Sequence, residues 1–175
     1  VEARLGVRVG HVDTQARQLG TSEGLMPFEK LVIATGGVPF VPDGVEGTDL
    51  EGVYTFTTWQ DARELERYIE QHEVERALVV GGGLIGLKSV EALAALGVQT
   101  IVVELADQLL GATLDETAGQ LAAAQLADAG VGVRCGSTVT ELTGEAGRVR
   151  TAALQDGGEV ECGLVIFAIG VRPNV

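Results

Sequence analysis

Short apolar runs that stop at glycine alternate along this chain with segments whose apolar residues recur at helical spacing. Runs of this kind are typical of buried parallel strands, whereas the 3.6-residue period indicates amphipathic helices. The pattern predicts apolar strands at 31–37, 77–80, 99–103, 131–133 and 164–169. It predicts helices at 58–71, 84–96 and 115–129. Thr57 to Gln60 has the form of a capping box for the first helix, and Gly97 and Gly130 end the other two.

Two further regions show a weaker, β-like alternation. The pattern of residues 1–30 predicts a strand, a turn and a second strand, with a polar link at Gly20 to Gly24. The pattern of residues 137–161 predicts an antiparallel meander. Pro39 and Pro42 mark a connector, so we place a domain boundary near residue 42, between 1–42 and 43–175. The predicted fold class is α/β: a Rossmann-like three-layer parallel sheet with an antiparallel β-meander, plus a short β segment.

One glycine motif lies where the predicted strand 77–80 meets the following helix. Gly81-x-Gly83-x-x-Gly86 opens a strand–helix–strand unit, in which each glycine has its own steric role. Gly81 permits the tight turn, Gly83 lets the backbone approach a pyrophosphate, and Gly86 lets the helix pack closely on the sheet. The amides of the helix that starts near Leu84 then point at the phosphates. This arrangement predicts a dinucleotide site.

Glu104 ends the second strand of this unit. A carboxylate at that position can accept hydrogen bonds from both hydroxyls of an adenosine ribose, and it repels a 2′-phosphate. Binding of NADP usually needs an arginine nearby, yet no Lys or Arg occurs between Lys88 and Arg134. The sequence therefore favours NAD over NADP.

Composition and charge limit the possible partners. The 175 residues include 25 glycines and only 4% aromatic residues, which suits one compact α/β domain, or one such domain with a small appendage. The formal net charge of −13 is unfavourable for nucleic acid and anionic lipid, so we expect neither as a partner. No signal-peptide pattern is present, and the chain opens at Val1 without an initiator Met. We therefore expect a fragment of a cytoplasmic protein.

The histidines, the cysteines and the charged residues of the first helix form no recognisable catalytic or metal-binding pattern. His11 and His72 lie in no triad-like arrangement, so we expect ordinary solvated or core histidines. Cys135 and Cys162 form no close pair, and we expect both to be small buried hydrophobes. The acids and arginines of the first helix indicate a solvated face. We assign no catalytic and no metal-binding residue.

Three ordered motifs together resemble one known family. They are Leu31-Val32-Ile33-Ala34-Thr35-Gly36 followed by Pro39, Val79 to Gly86, and Phe167-Ala168-Ile169-Gly170-Val171-Arg172-Pro173-Asn174. They resemble the FAD-dependent pyridine nucleotide-disulphide oxidoreductases, and among these the NADH oxidases, rubredoxin reductases and the flavin part of NADH-dependent nitrite reductases. The resemblance spans nearly the whole chain. It implies that 1–42 belongs to an FAD-binding domain and 43–175 to an NAD(H)-binding domain.

The resemblance also implies cofactor contacts. Residues of the glycine turn and helix start, with Glu104, Val139 and Gly170, would contact NADH; those at the turn are Gly81, Gly82, Gly83, Leu84, Ile85 and Gly86. Val9, Ala34, Thr35 and Gly36 would contact FAD in the full-length protein. The first flavin motif and any redox-active cysteine would precede Val1, so the chain alone should be inactive. Lys88 departs from the family pattern, which has Glu there, and Glu91 one turn later partly compensates.

The leading hypothesis is therefore an NADH-binding module of a flavin-dependent oxidoreductase, which positions NADH for hydride transfer to FAD. Its expected partners are the dinucleotides, the remainder of the parent flavoprotein, an electron-acceptor protein and a second copy in a homodimer. A non-catalytic NAD-sensing module is the first alternative. An S-adenosylmethionine-dependent methyltransferase is the second, although that class usually carries an acid just before the glycines, where Val79 and Val80 stand here.

Overall fold

The computed structural model describes residues 2–175, which form two compact units. The first comprises residues 2–36 with Val175, and the second comprises residues 37–174. The division falls before the connector near residue 42 because Gly37–Pro39 pairs in antiparallel fashion with Val171–Pro173, at the far end of the second unit. A pairing between segments so distant in sequence leaves no local signal for a sequence-based boundary.

The first unit contains a three-stranded antiparallel sheet, β1 (Val9–Asp13), β2 (Gln18–Thr21) and β3 (Gly24–Pro27). The predicted strand–turn–strand omitted one strand, and the predicted link from Gly20 to Gly24 covers the end of β2 and the start of β3. The first turn comes earlier, where the Asp13 carboxylate accepts hydrogen bonds from the amides of Gln15 (2.9 Å) and Ala16 (2.8 Å). In such an Asx turn the Asp side chain bonds the backbone of the turn, so the chain reverses direction without a glycine.

The strand predicted at 31–37 was wrong over residues 31–36, to which the structure assigns no strand. Val32 and Ile33 are 85% and 61% exposed. An apolar run becomes a buried strand only where neighbouring strands pair with it and cover its side chains. The described strands of the first unit order as β1-β2-β3, and none of them pairs with this run.

The second unit is built on a five-stranded parallel sheet in the order β5-β12-β6-β7-β8. Its elements, in chain order, are β4 (Gly37–Pro39), β5 (Val53–Thr55), α1 (Trp59–His72), β6 (Arg76–Val80), α2 (Leu84–Ala95), β7 (Gln99–Glu104), α3 (Glu116–Asp128), β8 (Gly132–Cys135), β9 (Val139–Glu145), β10 (Arg148–Leu154), β11 (Glu159–Glu161), β12 (Leu164–Phe167) and β13 (Val171–Pro173).

The central sheet is covered on both faces. Side chains of α1, α2 and α3 form one apolar core with alternate sheet residues such as Val79 and Ile166, while Leu78 and Phe167 face a second core. That second core is closed by β9, β10 and β11, which form an antiparallel sheet in the order β11-β10-β9. Opposite faces alternate along a strand, so each central strand serves both cores. The predicted three-layer α/β fold with a meander is confirmed.

Helix α1 begins at a capping box that differs from the predicted one by a single residue. The N-cap is Thr58, whose hydroxyl accepts a hydrogen bond from the Asp61 amide, while the Asp61 carboxylate accepts one from the Thr58 amide. Asp61 takes the place that the sequence pattern gave to Gln60, because its carboxylate also accepts from the amide and hydroxyl of Thr57. The predicted stops of the other helices are confirmed: Gly97 and Gly130 follow α2 and α3 with positive φ.

Candidate nucleotide-binding cleft

A cleft of about 800 Å³ opens at the carboxyl ends of β6, β7 and β12. The residues that follow these three adjacent strands form its floor, and most of its lining is apolar. Ligands of open α/β sheets bind at this edge, because the loops there surround a crevice that the sheet itself holds in place. The position of the cleft therefore favours a small-molecule site.

The glycine turn of the cleft is held by close backbone packing. Gly81 has φ +110°, and a Cβ atom there would lie 2.6 Å from the Ala168 carbonyl oxygen. A Cβ atom at Gly86 would overlap the Gly81 carbonyl oxygen, so any side chain at this position would push α2 away from the turn. Gly83 differs, since a Cβ atom there would meet nothing within 4 Å. The first and third glycines allow close packing, and the second leaves its space free.

The start of α2 presents backbone amides without a side-chain cap. Gly83 is the N-cap, and the first bond within the helix runs from the Leu87 amide to the Gly83 carbonyl at 3.0 Å. The preceding amides of the helix therefore have no intrahelical acceptor, and Leu84 and Ile85 line the cleft. These amides carry the positive end of the helix dipole, which favours an anionic group.

Glu104 contacts the glycine turn directly. Its Oε2 accepts a hydrogen bond from the Gly82 amide at 2.5 Å, and its Oε1 accepts one from the Ala106 amide at 2.8 Å. The following loop adds a further bond, from the Leu110 amide to the Gly82 carbonyl at 2.9 Å. The carboxylate is half-buried and remains part of the cleft lining.

Glu104 is the only charged side chain among the residues that line this cleft. The lining offers no lysine or arginine for a ribose 2′-phosphate, and the anion-binding capacity of the cleft lies in backbone amides. Charge in the cleft is thus arranged as one carboxylate beside a helix N-terminus.

The structure brings nearly all the residues predicted to contact NADH into this cleft. The lining includes Gly81, Gly82, Gly83, Leu84, Ile85, Glu104, Val139 and Gly170. Gly86 lies buried behind the turn, where it serves packing. Val139 is 3% exposed, and Gly170 has φ +119°.

Sequence reasoning missed one wall of the cleft, the loop after β7. Leu110, Gly111, Ala112 and Thr113 line the cleft there. Leu110 has a positive φ of 55°, which is uncommon for a residue with a side chain. The loop is short of charge and has no periodic pattern, so the sequence offers only Gly111 as a weak turn signal.

The residues predicted to contact FAD lie in the first unit. Val9 begins β1 and is 50% exposed, while Ala34, Thr35 and Gly36 form an exposed stretch that ends with φ +73° at Gly36. The structure thus presents these residues at a surface.

Lys88 lies on the exposed face of α2 and does not line the cleft. Its Nζ pairs with Glu91 Oε2 at 2.5 Å, one turn along the helix. Lys88 and Glu91 thus form a surface ion pair.

The other singled-out residues have varied surroundings. His11 is exposed, whereas the His72 ring contacts the Tyr68 ring at a tilt of 46° and lies between Arg148 (Nδ1 to NH1, 3.0 Å) and Glu51 (Nε2 to Oε1, 3.2 Å). A second cleft of about 650 Å³ is lined in part by Tyr68, His72 and Arg148. Because an arginine can only donate, the His72 Nδ1 atom accepts, and the imidazole links Arg148 to Glu51.

Only one of the two cysteines is buried. Cys162 is in the meander-side core, and burial raises the pKa of its thiol to about 12. Cys135 is exposed, so the expectation of two buried cysteines was wrong. It is the last residue of β8, the edge strand of the parallel sheet, where no further strand covers it.

None of the helices in residues 2–175 combines the length and apolar character needed to cross a membrane. In the same residues, no three His, Cys, Asp or Glu side chains are grouped to hold a metal ion.

Solved structures share this architecture. A ferredoxin reductase from Rhodopseudomonas palustris matches with a TM-score of 0.89 and 28% identity, covering 98% of this chain and 42% of that one. A NAD-dependent persulfide reductase from A. fulgidus matches with a TM-score of 0.86 and 30% identity, covering 96% and 31%.

Curated relatives are similar over almost the whole chain. The NADH nitrite reductase large subunit of Escherichia coli is 31% identical over 176 residues, which cover 99% of this chain and 20% of that protein. The NADH oxidase of Methanocaldococcus jannaschii is 36% identical over 150 residues, which cover 86% and 33%. The chain thus spans about a fifth to a third of the length of such relatives.

The family model described as pyridine nucleotide-disulphide oxidoreductase matches residues 1–175. Members of that family use FAD and NAD(P)H as cofactors. This match covers the entire sequence. The α/β architecture and the glycine-turn cleft agree with it. The chain belongs to the FAD-dependent pyridine nucleotide-disulphide oxidoreductase family.

Proposed function

We propose that residues 43–175 hold NADH within a longer flavin-dependent oxidoreductase and position it for hydride transfer to FAD. The observation that carries this proposal is the cleft itself, in which a glycine turn, an uncapped helix start and Glu104 meet at one sheet edge. Family membership supports it, because the family's enzymes use these two cofactors.

Each part of the cleft has a proposed role. The amides at the start of α2 bind the pyrophosphate, and the free space at Gly83 lets the phosphates approach the backbone. Glu104 accepts hydrogen bonds from the ribose hydroxyls through lone pairs that its two amide contacts leave available. Because no basic side chain lines the cleft, a 2′-phosphate would meet only this carboxylate, so NADH is preferred over NADPH.

The chemistry belongs to the cofactors. When both are bound, NADH would supply a hydride and FAD would accept it, so that NADH is oxidised as FAD is reduced. This chain's residues orient the dinucleotide and shield it with the apolar lining of the cleft. Val9 and Ala34 to Gly36 are proposed to contact FAD in the full-length protein, as part of a domain that 1–42 contributes. The remainder of the parent protein and an electron acceptor complete the proposed reaction.

Isothermal titration calorimetry with NADH, NADPH and S-adenosylmethionine tests this proposal. We expect the protein to bind NADH, to bind NADPH much more weakly, and not to bind S-adenosylmethionine. Glu104→Ala should weaken NADH binding, whereas Asp107→Ala, which removes an exposed acid of the same loop outside the cleft lining, should not. Equal affinity for NADPH would refute the selectivity, and S-adenosylmethionine binding would favour the methyltransferase alternative.

A further inference from the structure

We infer that Glu104 is a positioning residue, which holds the glycine turn in the geometry that a pyrophosphate needs before any cofactor binds. The inference rests on the proposed function and extends it. It assigns to this carboxylate a second role, one that does not involve touching the ribose. The role follows from the hydrogen bonds that the two carboxylate oxygens accept.

Both oxygens of Glu104 are bonded to backbone amides. Oε2 accepts from Gly82, in the turn itself, and Oε1 accepts from Ala106, in the loop after β7. One carboxylate thus ties together two segments that no strand pairing joins at these residues. Hydrogen bonds to a charged acceptor are stronger than those between neutral groups.

The surrounding contacts show that the turn is held from behind. A Cβ atom at Gly82 would overlap Leu109, which is fully buried, and the Leu110 amide donates to the Gly82 carbonyl. The Glu104 carbonyl in turn accepts from the Ser137 amide at 3.2 Å, at the approach to β9. Glu104 therefore lies at the centre of a bonded network that fixes the turn where it lines the cleft.

A glutamine cannot replace this carboxylate. It has one acceptor oxygen and one amide nitrogen that only donates, so one of the two backbone amides would face another donor. We expect Glu104→Gln to loosen the turn even though it keeps the size and shape of the side chain. An aspartate keeps the charge but withdraws it by one methylene, so Glu104→Asp should have an intermediate effect.

Pyrophosphate provides the decisive probe, because it lacks a ribose. If Glu104 served only the ribose, removing its negative charge would leave inorganic pyrophosphate binding unchanged or tighten it, since a repulsive charge is lost. If Glu104 positions the turn, the same substitution weakens pyrophosphate binding. Only the positioning role therefore predicts weaker pyrophosphate binding in the variant.

The experiment measures pyrophosphate affinity by NMR titration and amide hydrogen exchange without ligand. In Glu104→Gln we expect binding to weaken by about fivefold or more, and exchange at Gly82 and Ala106 to accelerate by about 10- to 100-fold. Exchange at Ile166, in the middle of the parallel sheet, should not change, which separates local loosening from general destabilisation. Asp107→Asn is the matched control, since it removes one exposed charge from the same loop without touching the turn.

Unchanged exchange at both amides, or unchanged or tighter pyrophosphate binding in Glu104→Gln, would overturn the inference and leave Glu104 as a ribose ligand alone. Faster exchange in a protein that does not bind NADH would instead refute the proposed function while supporting the role of Glu104 in the turn. If Glu104→Gln does not fold, the same measurements on Glu104→Asp decide, with faster exchange supporting the inference and wild-type exchange contradicting it.

Discussion

Gly86 packs against Gly81 so closely that a single added methyl group would overlap the Gly81 carbonyl oxygen. Gly86→Ala should therefore separate α2 from the turn and destabilise the protein by about 1–3 kcal/mol, as overpacked sites generally do. Urea denaturation monitored by circular dichroism measures this change. A loss below about 0.5 kcal/mol would show that the helix can move away without strain.

Gly83→Ala is the counterpart of that substitution. Gly83 has an ordinary φ of −82° and an open surrounding, so the free energy of unfolding should change by less than about 1 kcal/mol. The added methyl group would enter the space proposed for the pyrophosphate, and NADH affinity should fall by about 10-fold or more. Energy transfer from Trp59, the chain's only tryptophan, to bound NADH can be titrated to measure it. Wild-type affinity would contradict the proposed approach of the phosphates.

The start of α1 should become less stable in acid. Burial raises the pKa of Asp61, but the hydrogen bonds from Thr58 and Thr57 outweigh it and hold the pKa below its ordinary value of 3.8. Because the folded state binds this proton less readily than the unfolded state, its contribution is present above pH 3.8 and is lost as the pH falls through the lower, folded value.

Asp61→Asn should accordingly flatten the acid limb of a plot of stability against pH, and Thr58→Ala should cost about 1 kcal/mol at neutral pH. Thermal unfolding between about pH 2 and pH 7 measures both effects. Asp43→Asn, in an exposed segment outside every helix, is the control. An acid limb that Asp61→Asn leaves unchanged would exclude this carboxylate as its source.

The two cysteines should differ in reactivity towards a thiol reagent such as 5,5′-dithiobis(2-nitrobenzoate). Cys135 is exposed and should react in the folded protein, whereas buried Cys162, with a pKa of about 12, should react only on unfolding. Desolvation, and after it the negative charges of Glu104 and Asp107, raises the pKa of the Cys135 thiol. Its rate of reaction should therefore be lower than that of a free thiol and should rise with pH. Cys135→Ser should remove the reaction of the folded protein. Two reactive thiols before unfolding would contradict the buried position of Cys162.

The sequence alone determined the centre of this protein, because the forces there act between near neighbours. The glycine turn, the apolar runs on either side of α2 and the glycines that end α2 and α3 each act within a few residues, and the structure confirms these elements. The same short-range pattern predicted that Glu104 ends the strand β7. The parallel pairing of β6 with β7 brings this residue beside the turn that follows β6.

Only the tertiary structure decided which segments meet. The run at 31–36 has the composition of a buried strand, but strand formation depends on neighbours that composition does not specify. The pairing of β4 with β13 joins residues from opposite ends of the second unit. The double contact of Glu104 and the wall formed by residues 110–113 likewise depend on a loop whose path is set by buried Leu109. The pattern of side chains determined the helices and strands, and packing between distant segments determined how these elements enclose the cleft.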